Sequence, residues 1–443
     1  MHIRSFGLAA LCAVPALASA QATSTRADAL PFLVRGFAND PAETKAAVHT
    51  DRLIVAFSIP VQPALLDGAL VGSGLRRVGG AWNGTFEVLA CAPGTAQAWA
   101  EWFRGQAIVR YAEPDAIAYT CANPDDPYFN PYQWNFFAPG TVSAGAVSNY
   151  GVDAVTAWDR TTGSGVTVAV VDTGIAYETF GAFTQAPDLA GASFVWPKDF
   201  VNNDDHPNDD NGHGTHVAGT VRQSTNNGLG VAGLAYQCNL MPVKVLNASG
   251  SGSHSAIANG ITWAADHGAK VINLSLGGST GSTTLESAVN YAWSRGCVVV
   301  AAAGNTGRQG VQYPARYVNC IAVGTTRFDG RRPRYGTYGS GLDLCAPGGD
   351  TSVDQNGDGY RDGILQQTFA SGSPTAFGYY FFQGTSMASP HVAGIAALVA
   401  ARYGSWSNAQ IRSRLEASCR DLGSAGYDTT YGYGLLSAEI ATR

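Results

Sequence analysis

The chain has 443 residues, 45% hydrophobic and 14% charged, enough for one large core with a smaller domain beside it and too apolar for disorder to dominate. A formal charge of -6, a pI near 5.7 and only four lysines give a nucleic-acid or anionic-membrane partner no basic patch to rest on. At the N-terminus, MHIRSFGLAALCAVPALASAQA carries a short basic start at His2 and Arg4, an apolar run from Phe6 to Leu17, and small residues at Ala18-Ser19-Ala20. This is the pattern of a secretory signal over residues 1–20, cut after Ala20. No later apolar run has the length of a bilayer span, so the mature product is expected to be soluble, exported and extracellular. Cys12 leaves with the signal and Cys91 lies in a segment expected to be removed. Cys121, Cys238, Cys297, Cys320, Cys345 and Cys419 remain, and in an exported chain they suggest disulfides. Cys297 with Cys320 is the expected pair, because both begin candidate strands separated by one loop. No Cys-x-x-Cys spacing supports zinc.

Residues 51–118 have their own pattern. DRLIVAF, TFEVLA and AIVRYAE alternate like strands, and TAQAWAEWFRG (95–105) has helical spacing at Ala98, Trp102 and Phe103, which predicts a small α+β unit. The linker CANPDDPYFNP (121–131) marks a boundary, giving segments 21–120 and 121–443 after the signal. Beyond it, short apolar strands at 166–172, 239–246, 270–276, 297–303 and 319–324 alternate with helical stretches at 215–223, 253–266 and 285–295, and a further apolar helix runs from Met387 to Arg402. Runs this short and this apolar predict an α/β fold with a doubly wound, mostly parallel sheet covered on both faces. Ligands gather at the carboxyl ends of strands in such a sheet.

Several chemically capable residues fall on that rim. Asp172 ends VAVVD, His213 stands between glycines in NGHGTHVAGT, Asn305 ends AAAGN, and Ser386 opens the 387–402 helix in GTSMASPHVAG. Each has a plain reading: a turn aspartate, a structural histidine, a turn asparagine and a helix cap. Together they supply a nucleophile, a base, a carboxylate to fix the base's tautomer, and an oxyanion donor at the positive end of a helix. Pro390 is expected to be tolerated because the early backbone donors of a helix need no partner.

In that order, VAVVDTG, NGHGTHVAG, SLGG, AAAGN and GTSMASPHVAG closely resemble the subtilisin-like serine protease family, over about Asp126 to the C-terminus. The chain order Asp, His, Ser is the family's own. The resemblance implies a serine endopeptidase in which Asp172 orients the base, His213 is the general base and then acid, Ser386 is the nucleophile, and Asn305 with the Ser386 N–H forms the oxyanion hole. It needs no cofactor for the chemistry. It also implies that the upstream unit is a ferredoxin-like inhibitory propeptide, removed by self-cleavage between Ala118 and Asp125, and that the enzyme is a monomer acting on proteins and peptides. Gly250, Ser251 and Gly252 with Ser275, Leu276 and Gly277 match the two segments between which relatives hold a peptide as a third strand, a mode that gives broad specificity. Gln312 is implied in the primary pocket and His254 in the fourth, and Ala302 and Gly304 are further implied substrate-binding residues.

Structural calcium is a further implication, from the thermitase-like branch. One candidate site combines Asp126, Asp188, Asn227 and the carbonyls of Ser224, Leu229 and Val231; a second combines Asp199, Asn202, Asp204 and Asn208, with Asn202 in place of an acidic ligand. Asp354, Asn356, Asp358 and Asp362 in DQNGDGYRDG are spaced like an EF-hand loop, but Leu365 stands where the bidentate Glu belongs, so a plain solvated turn is the favoured reading over a metal site.

Overall fold

The computed structural model describes residues 48–59, 61–81, 83–116, 123–140, 150–370 and 372–443. The expected signal peptide, Cys12, Cys121 and most of the expected cleavage window lie outside them. The chain forms two compact units.

The first unit runs β1 (Val48–Phe57), α1 (Pro63–Leu70), β2 (Arg76–Gly80), β3 (Glu87–Ala90), α2 (Ala96–Arg104) and β4 (Val109–Ala116). Its four-stranded sheet has the order β2-β3-β1-β4 with antiparallel pairing throughout, a βαββαβ arrangement. Trp99, Ala100 and Phe103 form one stripe of α2 and bury against Leu53, Val55, Leu89 and Ala112 of the sheet. β2, RRVGG, has no apolar alternation, and so its sequence gives no strand signal.

The second unit begins with α3 (Phe129–Tyr132), α4 (Ala154–Trp158), β5 (Thr167–Asp172), β6 (Ser193–Phe194), β7 (Lys198–Asp199), α5 (His213–Arg222), β8 (Asn239–Lys244), α6 (His254–Asp266), β9 (Val271–Leu274) and α7 (Thr283–Ser294). It continues with β10 (Val298–Ala302), β11 (Ile321–Thr326), β12 (Leu344–Pro347), β13 (Ile364–Phe369), β14 (Phe377–Phe382), α8 (Thr385–Arg402), α9 (Asn408–Glu416), β15 (Cys419–Arg420), β16 (Leu435–Leu436) and α10 (Ala438–Ala441). The main sheet has the order β15-β16-β12-β11-β10-β9-β5-β8-β6, with β7 also on β8, and only β15 runs against its neighbour. Side chains alternate between its faces. Val168, Val170, Val298 and Val300 bury against α5 and α8, while Ala169, Val171, Val243 and Val299 bury against α6 and α7. Burial on both faces explains the unbroken apolar runs and gives the α/β, doubly wound architecture. β5 lies between β8 and β9, where the strand order reverses, so its carboxyl end faces the crevice in which such sheets bind ligands. Among the described residues no helix is long and apolar enough to cross a membrane.

The expected Cys297–Cys320 disulfide is not formed: both are buried thiols, as are Cys238 and Cys345, and Cys419 is a half-buried one. The parallel register pairs Val300 with Ile321, which sets Cys320 opposite Val299 and leaves Cys297 two residues further along. Strand rise and spacing then separate the two Cα atoms by about 8 Å, beyond disulfide reach. The Cys297 thiol instead donates to Ala269 O at 3.0 Å, and burial pushes it up to about 11.

Candidate active site

Asp172, fully buried, ends β5, and one of its oxygens lies 2.7 Å from His213 Nδ1 while accepting the Thr173 N–H at 2.7 Å. The imidazole is thereby held by its Nδ1 edge, leaving Nε2 as the working nitrogen. Burial alone would lower the His213 pKa, but the charge and hydrogen bond of Asp172, with the charge of Asp209, raise it above the ordinary histidine value. The ring sits at the start of α5, and Gly214 lets that start approach β5: a Cβ there would lie 2.1 Å from Gly174 O. Buried Asp209 frames the same helix end. Its oxygens accept from Thr173 Oγ1 (2.9 Å), Gly212 N (2.9 Å), Thr215 N (2.9 Å) and Thr215 Oγ1 (2.6 Å).

Ser386 lies in the first turn of α8, after Gly384, whose φ of +148° disfavours an L side chain. The Ser386 N–H, in the first turn, therefore has no intrahelical partner. Pro390 lies beyond the first turn, so the expectation of a cost-free proline needs correction. Its missing N–H would have bonded the Ser386 carbonyl, and that carbonyl instead accepts Ser275 Oγ at 2.8 Å. Ser275 is itself fixed by Asn273 Nδ2 at 2.9 Å, and Asn273 Oδ1 accepts Ser389 Oγ at 2.7 Å. The Ser386 hydroxyl donates to Ser275 O at 3.1 Å. Asn305 follows β10, and its Oδ1 accepts both Thr385 N (2.9 Å) and Thr385 Oγ1 (3.0 Å). With the oxygen occupied, the amide NH2 is the end left to meet a ligand.

Two adjoining cavities meet at Leu276 and Gly277. The first, about 410 Å3, is lined by His213, Gly250–Gly252, His254 and Ser275–Gly277 among others. The second, about 270 Å3, is lined by Ser386, Asn305, Ala302, Gly304, Gln312 and Thr385 with their neighbours. Residues 163–434, more than half the chain, match the Subtilase family. The chain belongs to the subtilase family. It is a subtilisin-like serine endopeptidase of the thermitase-like kind. Thermitase of Thermoactinomyces vulgaris is 43% identical over 72% of this subtilase and 99% of its own length, and a thermophilic serine proteinase of Bacillus sp. strain AK1 is 36% identical over 92% and 94%. Among solved structures, a Pseudoalteromonas arctica protease matches with a TM-score of 0.62 and 35% identity, covering 72% of this subtilase and 98% of that chain.

The cavities place every expected substrate-binding residue on the lining of this crevice. The Gln312 carboxamide lies against Gly304, where an added Cβ would come 2.4 Å from Gln312 Oε1, so it spans part of the second cavity.

The first calcium candidate is assembled from distant parts of the subtilase. Asp126 accepts the Asn226 N–H at 3.0 Å through one oxygen, while its other oxygen is buried with no partner among the described residues. Fully buried Asp188 accepts Asn227 Nδ2 (2.9 Å), Tyr379 OH (3.1 Å) and Val231 N (3.2 Å). Burial, together with the charge of Asp126, pushes the Asp188 carboxyl up to about 8 despite those donors. Two mutually repelling buried carboxylates, one with an orphaned oxygen, fit a divalent cation. Ser224 lies beside them, its N–H donating to Asp188 O at 3.0 Å, and Leu229 and Val231 follow on the same loop.

The second candidate is only partly closed by its own residues, since buried Asn208 Oδ1 has no partner among the described residues. Asp199 accepts Val201 N (2.6 Å), Asn202 N (2.8 Å) and Asn202 Nδ2 (2.9 Å), so the Asn202 amide meets Asp199 as a donor. Asp204 accepts the His206 N–H at 2.9 Å, and Asn208 donates to Glu178 at 3.0 Å. In the Asp354–Asp362 loop the carboxylates bond backbone donors such as Gly357 N (2.7 Å) and Gln355 N (2.7 Å), and Leu365 is fully buried. These are turn bonds, although Asp362 is buried and not solvated.

Sequence reasoning missed Asp209, Thr385 and Tyr379, and it placed Ser275 on the substrate wall without its second role as donor to the Ser386 carbonyl. Only Asp209 has a local signal, an aspartate just ahead of a helix start with Thr215 in its first turn.

Proposed function

We propose that this endopeptidase is secreted, cleaves peptide bonds with broad specificity, and frees itself from its N-terminal unit. The observation that carries the mechanism is the 2.7 Å contact between His213 Nδ1 and buried Asp172, on the same crevice as Ser386 and the outward NH2 of Asn305. His213 Nε2 takes the Ser386 proton as Oγ attacks the substrate carbonyl; the oxyanion is met by Asn305 Nδ2 and the Ser386 N–H. His213 then returns the proton to the leaving amine, and water deacylates the ester by the same route. Asp172 holds the ring through Nδ1. Broad specificity is supported by glycine-rich walls at Gly250–Gly252 and Gly277, which offer backbone to a substrate strand.

Self-processing is supported by a separately folded unit upstream of this crevice in one chain. In the calcium site, Asp126, Asp188, Asn227 and the loop carbonyls would hold the ion, which supplies charge neutralisation and loop closure but no catalytic step. Expression of wild type beside Ser386→Ala tests the proposal. Wild type should hydrolyse casein and shed residues up to about 120, and the variant should remain a folded, full-length precursor. A purified variant trimmed at the wild-type position with no other protease present would overturn self-processing.

A further inference from the structure

Between residues 304 and 336 the chain carries Arg308, Arg316, Arg327, Arg331, Arg332 and Arg334 against the single carboxylate Asp329, inside a protein whose formal charge is -6. Overall composition hides this local excess. Most of these guanidinia are committed. Arg327 is clamped by Asp329 at 2.8 Å from both Nε and Nη2 and lies 3.6 Å from Asp350. Arg332 donates to Gly336 O at 2.6 Å and lies over the Tyr338 ring, and Arg316 lies over Tyr313. Arg331 reaches Asp329 only at 3.9 Å. Arg308 and Arg334 are exposed, and their guanidinia have no hydrogen bond or ion pair among the described residues.

They stand on two loops bonded to each other, one of which reaches the edge of the Ser386 cavity through Thr306. Thr306 lines the Ser386 cavity, and Arg308 follows two residues later, within about 7 Å along the chain. The 306–310 loop is pinned to the 334–338 loop by Gly307 N to Tyr335 O (2.6 Å), Thr306 N to Thr337 Oγ1 (3.1 Å) and Gly310 N to Tyr338 O (2.8 Å). The cavity lining itself, from Leu276 and Gly277 to Gln312 and Ser386, has no ionisable carboxylate or ammonium group to oppose them.

We propose that Arg308 and Arg334 form a basic rim to the cleft that selects substrates carrying Asp or Glu close to the scissile bond. The proposal rests on the reading of Ser386 as the nucleophile. Unpaired charges at the edge of a cleft focus their field into it, and a carboxylate within a Debye length of about 8 Å is drawn in while an ammonium is repelled. Neutral substrates are unaffected, because nothing in the rim touches the reacting atoms.

The test is a set of internally quenched peptides of one neutral sequence, with Asp or Lys placed in turn at each position near the cleaved bond. Specificity constants are measured at low salt and in added NaCl for wild type, Arg308→Ala/Arg334→Ala and Arg308→Lys/Arg334→Lys. Wild type should favour Asp over Lys by about tenfold at one or more positions in low salt. Salt and the alanine pair should reduce the ratio to within about twofold, the lysine pair should keep it, and the neutral peptide should be cleaved alike by all. Cleavage of the neutral peptide without a charge preference, or a preference that survives the alanine pair, would overturn the rim alone. Failure of wild type to cleave the neutral peptide would overturn the protease mechanism, a separate result.

Discussion

Asn305 has its carbonyl oxygen taken by the N–H and hydroxyl of Thr385, so the geometry leaves its NH2 as the end available to developing charge. Asn305→Ala should lower kcat by about 10²- to 10³-fold with little change in KM, a magnitude borrowed from subtilisin itself, where loss of one such donor has that effect. Equal rates on a peptide anilide would remove Asn305 from the mechanism. His213 gives a second prediction. Its neutral form is the base, and Asp172 raises its pKa, so activity must fall as pH drops through a value above the ordinary 6.5 or so. A kcat/KM profile still flat at pH 6 would contradict this. Asp172, His213, Asn305 and Ser386 were legible because each sits in a short glycine-bordered motif at an element end. Thr385 was not, nor was the bond from Ser275 to the Ser386 carbonyl, since the partners Asn305 and Ser386 lie 80 and 111 residues away.

At the scale of elements, α8 shows how a sequence anomaly is compensated from outside. The helix lacks the N–H of Pro390, and β9 is followed by Ser275, whose hydroxyl supplies the missing donor to Ser386 O. Ser275→Ala should leave that carbonyl without its donor and destabilise the protein by about 1–3 kcal/mol, read by denaturant melts of the inhibited enzyme. An unchanged midpoint would mean that water replaces the hydroxyl at no cost. The parallel strands were readable from the sequence because burial on both faces makes them apolar throughout. The β13–β14 hairpin was not. Gln366, Gln367 and Thr368 are all buried on β13 and read as loop residues. Their partners are distant: Gln367 Oε1 accepts the Asp188 N–H at 2.8 Å, and Thr368 Oγ1 donates to Gly212 O at 2.5 Å. One hairpin therefore touches both the calcium candidate and the residue that precedes His213.

For the whole molecule, stability has to be found without cross-links among the described residues of the second unit, where Cys238, Cys297, Cys320, Cys345 and Cys419 are thiols. An ion between Asp126 and Asp188 would take the place of a staple, since it joins the start of this unit, the loop after α5 and, through Tyr379, the hairpin. Without a cation those buried carboxylates repel each other, and the orphaned oxygen of Asp126 has no partner among the described residues. An ion that binds only the folded chain stabilises it by about 2.7 kcal/mol at a hundred times its dissociation constant. EDTA should therefore lower the melting temperature and speed autolysis, and millimolar Ca2+ should restore both. Asp126→Ala and Asp188→Ala should each blunt the response while leaving kcat in excess Ca2+ close to wild type. Asn202→Asp should add a second calcium-dependent increment, because it replaces the amide that now bonds Asp199 with an acidic ligand. An inhibited enzyme, shown metal-free by elemental analysis, that melts at one temperature in EDTA and in Ca2+ would overturn the first site.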